Sequence, residues 1–157
     1  MTKIFKILSE EHQNILKVIN DLLKECDTLE SKNELNLEFF NKTIDFIINY
    51  ADKFHHAKEE DILFIELNKE GVQMPCNPIE QMLHEHELGR NYINELKKQI
   101  DENNIEKIIE NSRGYASLLQ EHIYKEDNIL YPMAEEALSE DTKNKILNKF
   151  NEIENKL

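Results

Sequence analysis

Six side chains in this sequence have the chemistry and the spacing to ligate metal ions from inside a helical core. Four are histidines, each of which interrupts a different apolar helical pattern, and two are glutamates that each lie four residues after a histidine. The six are His12, His55, Glu59, His86, His122 and Glu126. Because residues four apart lie on the same face of an α-helix, the imidazole and the carboxylate of each pair point the same way.

Burying these six groups is costly unless they have partners. An unpaired buried polar group costs roughly 1–3 kcal/mol, and an unpaired charge costs more. One histidine on an apolar face is most simply a hydrogen-bonded core residue, but two His-x-x-x-Glu pairs and two further histidines are hard to explain in that way. A pair of metal ions would neutralise the carboxylates and occupy the imidazole lone pairs. The pattern therefore predicts a metal centre, although the helical periodicity alone fits a structural bundle without a cofactor equally well.

The two halves of the chain repeat the same arrangement. Residues 55–64 (HHAKEEDILF) align with residues 122–131 (HIYKEDNILY), with His, Lys, Glu, Ile and Leu at matching positions. The Glu-His dipeptide at 11–12 aligns in the same way with the one at 85–86. Two such halves packed about a pseudo-twofold axis predict two metal ions, each with two imidazoles, bridged by the two carboxylates.

The types of ligand narrow the choice of metal. Nitrogen and carboxylate ligands at two adjacent sites suit iron or manganese better than structural zinc, which prefers closed tetrahedral sites with thiolates or imidazoles. The two cysteines, Cys26 and Cys76, lie far apart in the sequence, so a disulfide framework or a zinc ribbon is not expected. Cys26 falls on an apolar helical face, and we expect it to fill the core.

Four long helical patterns and a short fifth one would position these side chains. The apolar spacing predicts helices over about residues 3–30, 35–70, 78–100, 105–137 and 139–156. Short loops between long helices favour antiparallel neighbours. The predicted fold class is therefore all-α, an up-down-up-down four-helix bundle with a short fifth C-terminal helix. We expect residues 1–157 to form a single domain, with the core bundle over about 3–137.

Local signals mark where the helices begin and end. Gly71 is expected to stop the second helix, and Asn77 followed by Pro78 to start the third. Pro132 is expected to kink or loosen the fourth helix near its end. Ser139 can cap the last helix.

Composition and charge exclude several classes of partner. The chain has 157 residues, 39% of them hydrophobic, and a formal net charge of −13. This sign disfavours both nucleic acid and anionic membrane surfaces as partners. No apolar run approaches the roughly 20 residues that span a bilayer, and the first residues lack the apolar region of a signal peptide. We therefore expect a cytoplasmic protein.

The sequence resembles the hemerythrin-like family of HHE cation-binding domains over about residues 9–133. The resemblance rests on four segments: EEHQ around His12, HHAKEEDILF from His55, EHELGR around His86 and HIYKEDNILYPM from His122. It implies a four-helix bundle with a non-haem di-iron centre.

The resemblance also implies a role for each candidate ligand. His12 and His55 would serve one iron, and His86 and His122 the other. Glu59 and Glu126 would bridge the two ions.

The sequence departs from the oxygen-carrying hemerythrins at two positions. Those proteins have a further histidine one turn after the histidine of the third helix, where this chain has Arg90. Their last carboxylate lies five residues after the last histidine, at Asp127 here, rather than four. The chain therefore resembles the broader HHE group, and an open or differently filled coordination position is implied.

Three further residues are candidates for supporting or additional roles. His56 lies roughly 100° around the helix from His55, so we expect it at the surface or behind the ligands rather than among them. Tyr115 lies seven residues before His122 on the same face, and it could donate a hydrogen bond to a ligand or be a seventh ligand, although core packing explains it more simply. Arg90 is expected to pair with Glu87 or Glu59.

The leading functional hypothesis is a cytoplasmic di-iron protein that binds or reduces O2, NO or peroxide, with electrons supplied by a redox partner. Ile62, Leu63 and Ile129 are expected to keep its pocket dry. The alternatives are a non-catalytic iron-binding or oxygen- or redox-sensing module that acts through a partner, and a structural bundle without metal. Turnover would distinguish an enzyme from a sensor or carrier, which should bind its ligand stoichiometrically.

Overall fold

The structure, a computed structural model, describes residues 1–156; Leu157, the last residue of the predicted single domain, lies outside the described residues. We number the helices in chain order. Three are regular α-helices: α1 (Lys3–Lys32), α3 (Ile79–Asp101) and α5 (Glu140–Asn155). The described residues contain no strand. The all-α prediction is confirmed.

The other two helices, α2 and α4, contain wider π-helical segments. Helix α2 covers residues 37–67 and consists of α-helical Leu37–Phe46, π-helical Ile47–His56 and Glu59–Leu63, and a last α-helical turn, Phe64–Leu67. Helix α4 covers residues 105–137 and consists of α-helical Ile105–Lys125, π-helical Glu126–Leu130 and α-helical Tyr131–Ala137. The predicted helix bounds differ from the observed ones by up to three residues, but the π-helical segments were not predicted.

Contacts between helices establish the topology. Near the start of α1, Ser9 donates a hydrogen bond to Asp127 on α4, whereas near its end Asp27 pairs with Arg113, earlier on α4. Residue numbers thus rise along α1 as they fall along α4, so the two helices are antiparallel. Helix α1 also packs on α2, α2 on α3, and α3 on α4. The four-helix up-down-up-down bundle is confirmed.

Polar side chains cap several helix starts, largely as the sequence indicates. The side chains of Asn104 and Ser139 accept hydrogen bonds from backbone N–H groups in the first turns of α4 and α5. Asn77 accepts one from the backbone of Ile79, so α3 begins one residue later than predicted. Gly71 has a positive φ of 91° but lies in the loop after α2. The helix ends earlier, at Leu67, because the next residues are exposed and have no apolar face to bury.

Two apolar clusters fill the bundle. One lies toward the α1–α2 loop and contains residues such as Leu22, Cys26 and Phe40, and the other lies toward the opposite end and contains residues such as Phe5 and Tyr131. Burying each large apolar side chain contributes about 1.5–3 kcal/mol relative to leaving it exposed. Cys26 is fully buried, as expected for a core filler. A polar layer separates the two clusters on all four helices.

Helix α5 closes the second cluster. It packs against α1 and the second π-helical segment of α2, and it buries Ile146 and Phe150. The short fifth helix is therefore confirmed. Within residues 1–156, none of the helices is long and apolar enough to cross a bilayer.

Candidate metal centre

All six predicted ligands lie in the polar layer between the apolar clusters. Each is at most 2% exposed. The layer forms because the six residues occupy the same height on four antiparallel helices. The six, as predicted, are His12, His55, Glu59, His86, His122 and Glu126.

Three atoms at the middle of this layer are buried without a hydrogen-bond partner among the described residues. They are Nε2 of His55, Oε1 of Glu59 and Oε2 of Glu126. Leaving such atoms unsatisfied costs roughly 1–3 kcal/mol each. All three carry lone pairs suitable for a cation, so the donor set fits bound metal ions.

The candidate ligands form two adjacent groups. In each group, one ligand atom per residue lies within 4.8 Å of the others. The first group contains His12, His55 and Glu126, and the second contains His56, Glu59, His86 and His122. The grouping separates His12 and His55 from His86 and His122, and their assignment to two ions stays a prediction.

The two glutamates lie between the groups. Oε1 of Glu126 is 3.2 Å from Nε2 of His12 and 3.1 Å from Nε2 of His122. Oε1 of Glu59 is 3.6 Å from Nε2 of His55 and 3.4 Å from Nε2 of His86. Each carboxylate thus contacts one histidine from each group, and its role as a bridging ligand stays a prediction.

A carboxylate on another helix orients each of the four predicted histidine ligands. In every case the Nδ1 nitrogen faces the carboxylate, which leaves Nε2 directed into the layer. The pairs are His12 with Asp127 (2.9 Å), His55 with Glu11 (2.8 Å), His86 with Glu60 (2.7 Å) and His122 with Glu85 (2.9 Å). Such outer carboxylates fix the tautomer and the ring orientation of metal-binding histidines.

Lysines hold two of these outer carboxylates. Lys58 donates to Glu11 and Lys125 donates to Glu85. Both contacts follow the sequence repeat, because each glutamate directly precedes a predicted histidine ligand and each lysine directly precedes a predicted glutamate ligand. The matching Lys and Glu positions were therefore a signal for this outer network.

Arg90 supports the second group. Its guanidinium contacts Glu60 at 2.6 Å, Asp52 at 2.8 Å and Glu87 at 3.0 Å. The expected pairing with Glu87 is thus present, whereas Glu59 does not pair with it. Since Glu60 and Asp52 accept hydrogen bonds from His86 and His56, Arg90 braces two carboxylates at once.

His56 lies among the candidate ligands. It is 5% exposed, its ring stacks on that of His86 with centroids 3.7 Å apart, and its Nδ1 donates to Asp52 at 3.3 Å. A surface position is therefore wrong. The cause is the π-helical segment that ends at His56, because the wider turn brings two consecutive histidines to the same side of α2. Burial and the neighbouring His86 lower the pKa of His56 to about 4, so the ring is neutral.

The model of the hemerythrin HHE cation-binding domain family matches residues 3–134 of the chain. The chain belongs to the hemerythrin HHE cation-binding family. The match covers most of the chain, so the family resemblance expected from the sequence is confirmed. The comparisons with curated proteins and with solved structures gave no match.

Tyr131 of this hemerythrin-like centre was not predicted from the sequence. The Tyr131 hydroxyl donates to Oε2 of Glu59 at 2.9 Å and lies 3.3 Å from Nε2 of His12. The repeat pairs Tyr131 with Phe64, which has no hydroxyl, so the alignment did not indicate this contact. Only the packing of α4 against α1 and α2 shows that the hydroxyl reaches the ligands.

Tyr115 packs in the apolar cluster nearer the α1–α2 loop and is 2% exposed. Burial raises the pKa of its hydroxyl, so the group stays protonated. Core packing is therefore the role that its contacts support.

Ile129 does not line the hemerythrin-like centre. It is 46% exposed, so the expectation that it keeps the pocket dry is wrong. The π-helical turn Glu126–Leu130 shifts the register of α4, and Leu130 is buried instead. Ile62 and Leu63 are buried as expected.

The carboxylates and the burial of the layer shift the pKa values of its histidines in different directions. Burial lowers the pKa of His12, but hydrogen bonds to Asp127 and Glu126 raise it overall to about 9. Burial likewise opposes protonation of His122, and the charge of Glu126 raises its pKa to about 10. At His55, burial dominates and the pKa falls well below its usual value. Metal ions would replace protons on the imidazoles, because an imidazole ligates a metal in its neutral form.

A cavity of about 320 Å³ leads from the surface to the second group. His56 and His86 lie on its wall together with apolar residues such as Ile47, Ile93 and Tyr115. Neither His12 nor His55 lines it. A small molecule in this cavity would therefore approach the centre from the side of the second group.

Proposed function

We propose that this hemerythrin-like domain holds a non-haem di-iron centre that binds or reduces O2, NO or peroxide. Two ferrous ions bound here would supply electrons and an open coordination position for a small ligand. Manganese accepts the same donor set and is the alternative metal. The six predicted ligands would hold the ions, with His56 as an additional candidate for the second one.

One observation carries this proposal. Two groups of buried histidines share two carboxylates, each of which contacts a histidine from both groups. A single closed structural site would need only one such group. Two sites that share carboxylates are instead the arrangement used by di-metal centres in helical bundles.

The chain contributes orientation, charge and exclusion of water. The outer carboxylates hold the imidazoles in place, and Glu59 and Glu126 offset the charge of the ions. Leu63 and Leu130 belong to the apolar cluster above the layer and separate it from solvent. The Tyr131 hydroxyl holds one oxygen of Glu59, which leaves the other oxygen for a metal.

The proposed setting is the cytoplasm, with a redox partner that returns electrons to the centre. Both cysteines are free, as expected where thiols are kept reduced. The cavity beside His56 and His86 would admit the small ligand.

The test is metal analysis of the protein purified without oxygen from iron-replete cells. We expect about two irons per chain, as in the di-metal bundles that this arrangement resembles. Near-ultraviolet absorption should appear when O2, NO or hydrogen peroxide is added in separate experiments. A folded helical protein without bound metal would contradict the proposal.

A non-catalytic sensor is the second candidate, and one contact favours it. Buried Lys58 pairs with Glu11 near the ligands and with Glu154 on α5, so a change at the centre can reach a surface helix. Amide hydrogen exchange in α5 would distinguish the two functions. A sensor should show exchange that differs between the ferrous and oxidised proteins and should bind its ligand without turnover.

A further inference from the structure

The cavity beside His56 and His86 is much larger than the ligands proposed so far. Its volume of about 320 Å³ is roughly ten times the ~30 Å³ that a water molecule occupies in the liquid. O2, NO and hydrogen peroxide are each similar in size to a water molecule. Cavities of this volume in other proteins hold small organic molecules.

We propose that this cavity binds a neutral organic molecule with a compact apolar body, and that the substrate class is an organic hydroperoxide. The identification of the reactive group rests on the proposed function. The binding of an apolar body rests on the cavity alone.

The walls of the cavity favour an apolar body. Ile47 and Ile93 are buried and apolar, and the ring of Tyr115 lies beside them. Ile48 is half-buried on the same wall. A hydrocarbon group in contact with these side chains would be removed from water, which contributes about 25 cal/mol for each Å² buried.

The charges around the cavity favour a neutral ligand. The guanidinium of Arg90 is on the wall, but Asp52, Glu60 and Glu87 already pair with it. These carboxylates would repel an anionic ligand. Deep in the cavity, the described residues provide no unpaired cationic side chain that would offset the repulsion. Lys97 also lines the cavity, but it is exposed, so it lies at the mouth.

The reactive group would lie at the inner end. His56 and His86, the two buried histidines on its wall, form that end, and both are candidate ligands of the second group. Reduction of the O–O bond takes two electrons and two protons; two ferrous ions held by the chain would supply one electron each, and hydronium ions from the solvent would supply the protons. The products would be an alcohol and one water molecule, with both ions oxidised from ferrous to ferric.

Binding can be measured without any reaction. Cumyl alcohol, the product of cumene hydroperoxide, would be titrated into the air-oxidised iron protein by calorimetry. We expect one site per chain, weakened at least about tenfold by Asn94→Trp, which fills the mouth from an exposed wall position. Ile48→Trp is a second blocking variant, and Leu88→Trp, an exposed position of α3 that does not line this cavity, is the matched control.

Kinetics separate this inference from the proposed function. Stopped-flow oxidation of the ferrous protein by cumene hydroperoxide should slow at least about tenfold in Asn94→Trp, whereas oxidation by the much smaller hydrogen peroxide should change far less. Iron content checks that each variant keeps its centre, and Asn94→Trp decides the matter if Ile48→Trp loses iron.

Each outcome of these measurements has a defined meaning. Rapid oxidation by hydrogen peroxide, without either oxidation by cumene hydroperoxide or binding of cumyl alcohol, overturns this inference and leaves the proposed function in place. An iron-loaded protein that reacts with no peroxide, O2 or NO overturns the proposed function. In that case the titration still decides whether the cavity binds an apolar molecule.

Discussion

At the level of single residues, a histidine here is directed by the carboxylate behind it. Nδ1 of His55 faces Glu11 at 2.8 Å, and its Nε2 has no partner among the described residues. One ring nitrogen is therefore committed to the protein and the other is free for a metal. The role of the inner ligands and the role of the outer carboxylates can be distinguished by substituting each set in turn.

Substitution of the inner residues tests the assignment of ligands. His55→Ala and Glu126→Ala should each sharply lower the iron content per chain, because each removes a buried donor from the first group. His84→Ala, which changes an exposed histidine on α3, should leave iron content unchanged. Equal loss in all three variants, measured by elemental analysis, would show that the assignment of inward-facing residues is wrong.

Substitution of an outer carboxylate should lower the affinity for metal without removing a ligand. Glu11→Gln keeps the shape of the side chain but removes the charge that faces His55 and Lys58. We expect metal affinity to fall by roughly 10–100-fold, measured by competition with a chelator. Glu10→Gln, the exposed neighbour, is the control. Equal affinity in the two variants would argue against a role for Glu11.

Removal of the Tyr131 hydroxyl should destabilise the metal-free protein. In Tyr131→Phe, Oε2 of Glu59 loses its hydrogen bond at 2.9 Å and stays buried. The free energy of unfolding should fall by about 1–3 kcal/mol, measured by urea denaturation. Tyr124→Phe, at a site that is 65% exposed, should have little effect. A Tyr131 variant as stable as the control would mean that the hydroxyl makes no net contribution.

At the level of helices, the π-helical segments decide which side chains enter the layer. Such segments hydrogen-bond from residue i to i+5, so an extra residue fits in a turn. In α2 the extra residue brings His56 inward, and in α4 it turns Ile129 outward. The wider turns coincide with the candidate ligands on both helices.

Helix α5 reaches the centre through Lys58. The ammonium group is fully buried, pairs with Glu154 at 3.2 Å and lies 3.9 Å from the ring centroid of Phe54. The repeat-related Lys125 is 35% exposed, because no helix covers it. Helix α5 therefore shields one outer carboxylate pair and not the other.

Loosening this contact should affect metal retention in the first group. Glu154→Gln weakens the hold on Lys58, which in turn holds Glu11 behind His55. A partly exposed ion pair contributes about 1 kcal/mol or less, so we expect chelator extraction of one of the two ions to speed up roughly two- to fivefold. Glu152→Gln, an exposed position on the same helix, is the control. Unchanged extraction of both ions would place α5 outside the support of the centre.

At the level of the whole molecule, the two halves are alike but not equal. The repeat pairs His56 with Ile123 and Phe64 with Tyr131. The chain therefore has an extra imidazole stacked on His86, and a phenol hydroxyl that contacts Glu59 and His12. The cavity of about 320 Å³ lies on the side with this imidazole. The two metal sites should consequently differ in ligands and in access.

Metal removal should lower the stability of the entire bundle. The unsatisfied inner atoms belong to His55 and Glu59 on α2 and to Glu126 on α4, in the layer to which all four helices contribute. Metal at about 100 times its dissociation constant stabilises the folded state by about 2.7 kcal/mol. For a chain of this size, that corresponds to a rise in Tm of roughly 5–10 °C. Coincident thermal unfolding curves with ferrous iron and with a chelator, both without oxygen, would contradict bound metal in this layer.

The sequence by itself determined the helices, their antiparallel order and the six residues that share one buried layer. These features depend on local periodicity, since residues spaced by three and four lie on one face of a helix. The repeat also indicated part of the network of outer carboxylates and lysines, because Lys58 and Lys125 occupy matching positions. The assignment of the six residues as ligands stays a prediction for metal analysis to test.

Only the tertiary structure decided the position of His56, the exposure of Ile129 and the reach of the Tyr131 hydroxyl to Glu59. Regular α-helical spacing cannot indicate a π-helical turn, which changes the face of every residue around it. The partner of each Nδ1 also lies on another helix, as His86 and Glu60 show. Such contacts depend on how the helices pack, and the spacing of residues within one helix does not determine them.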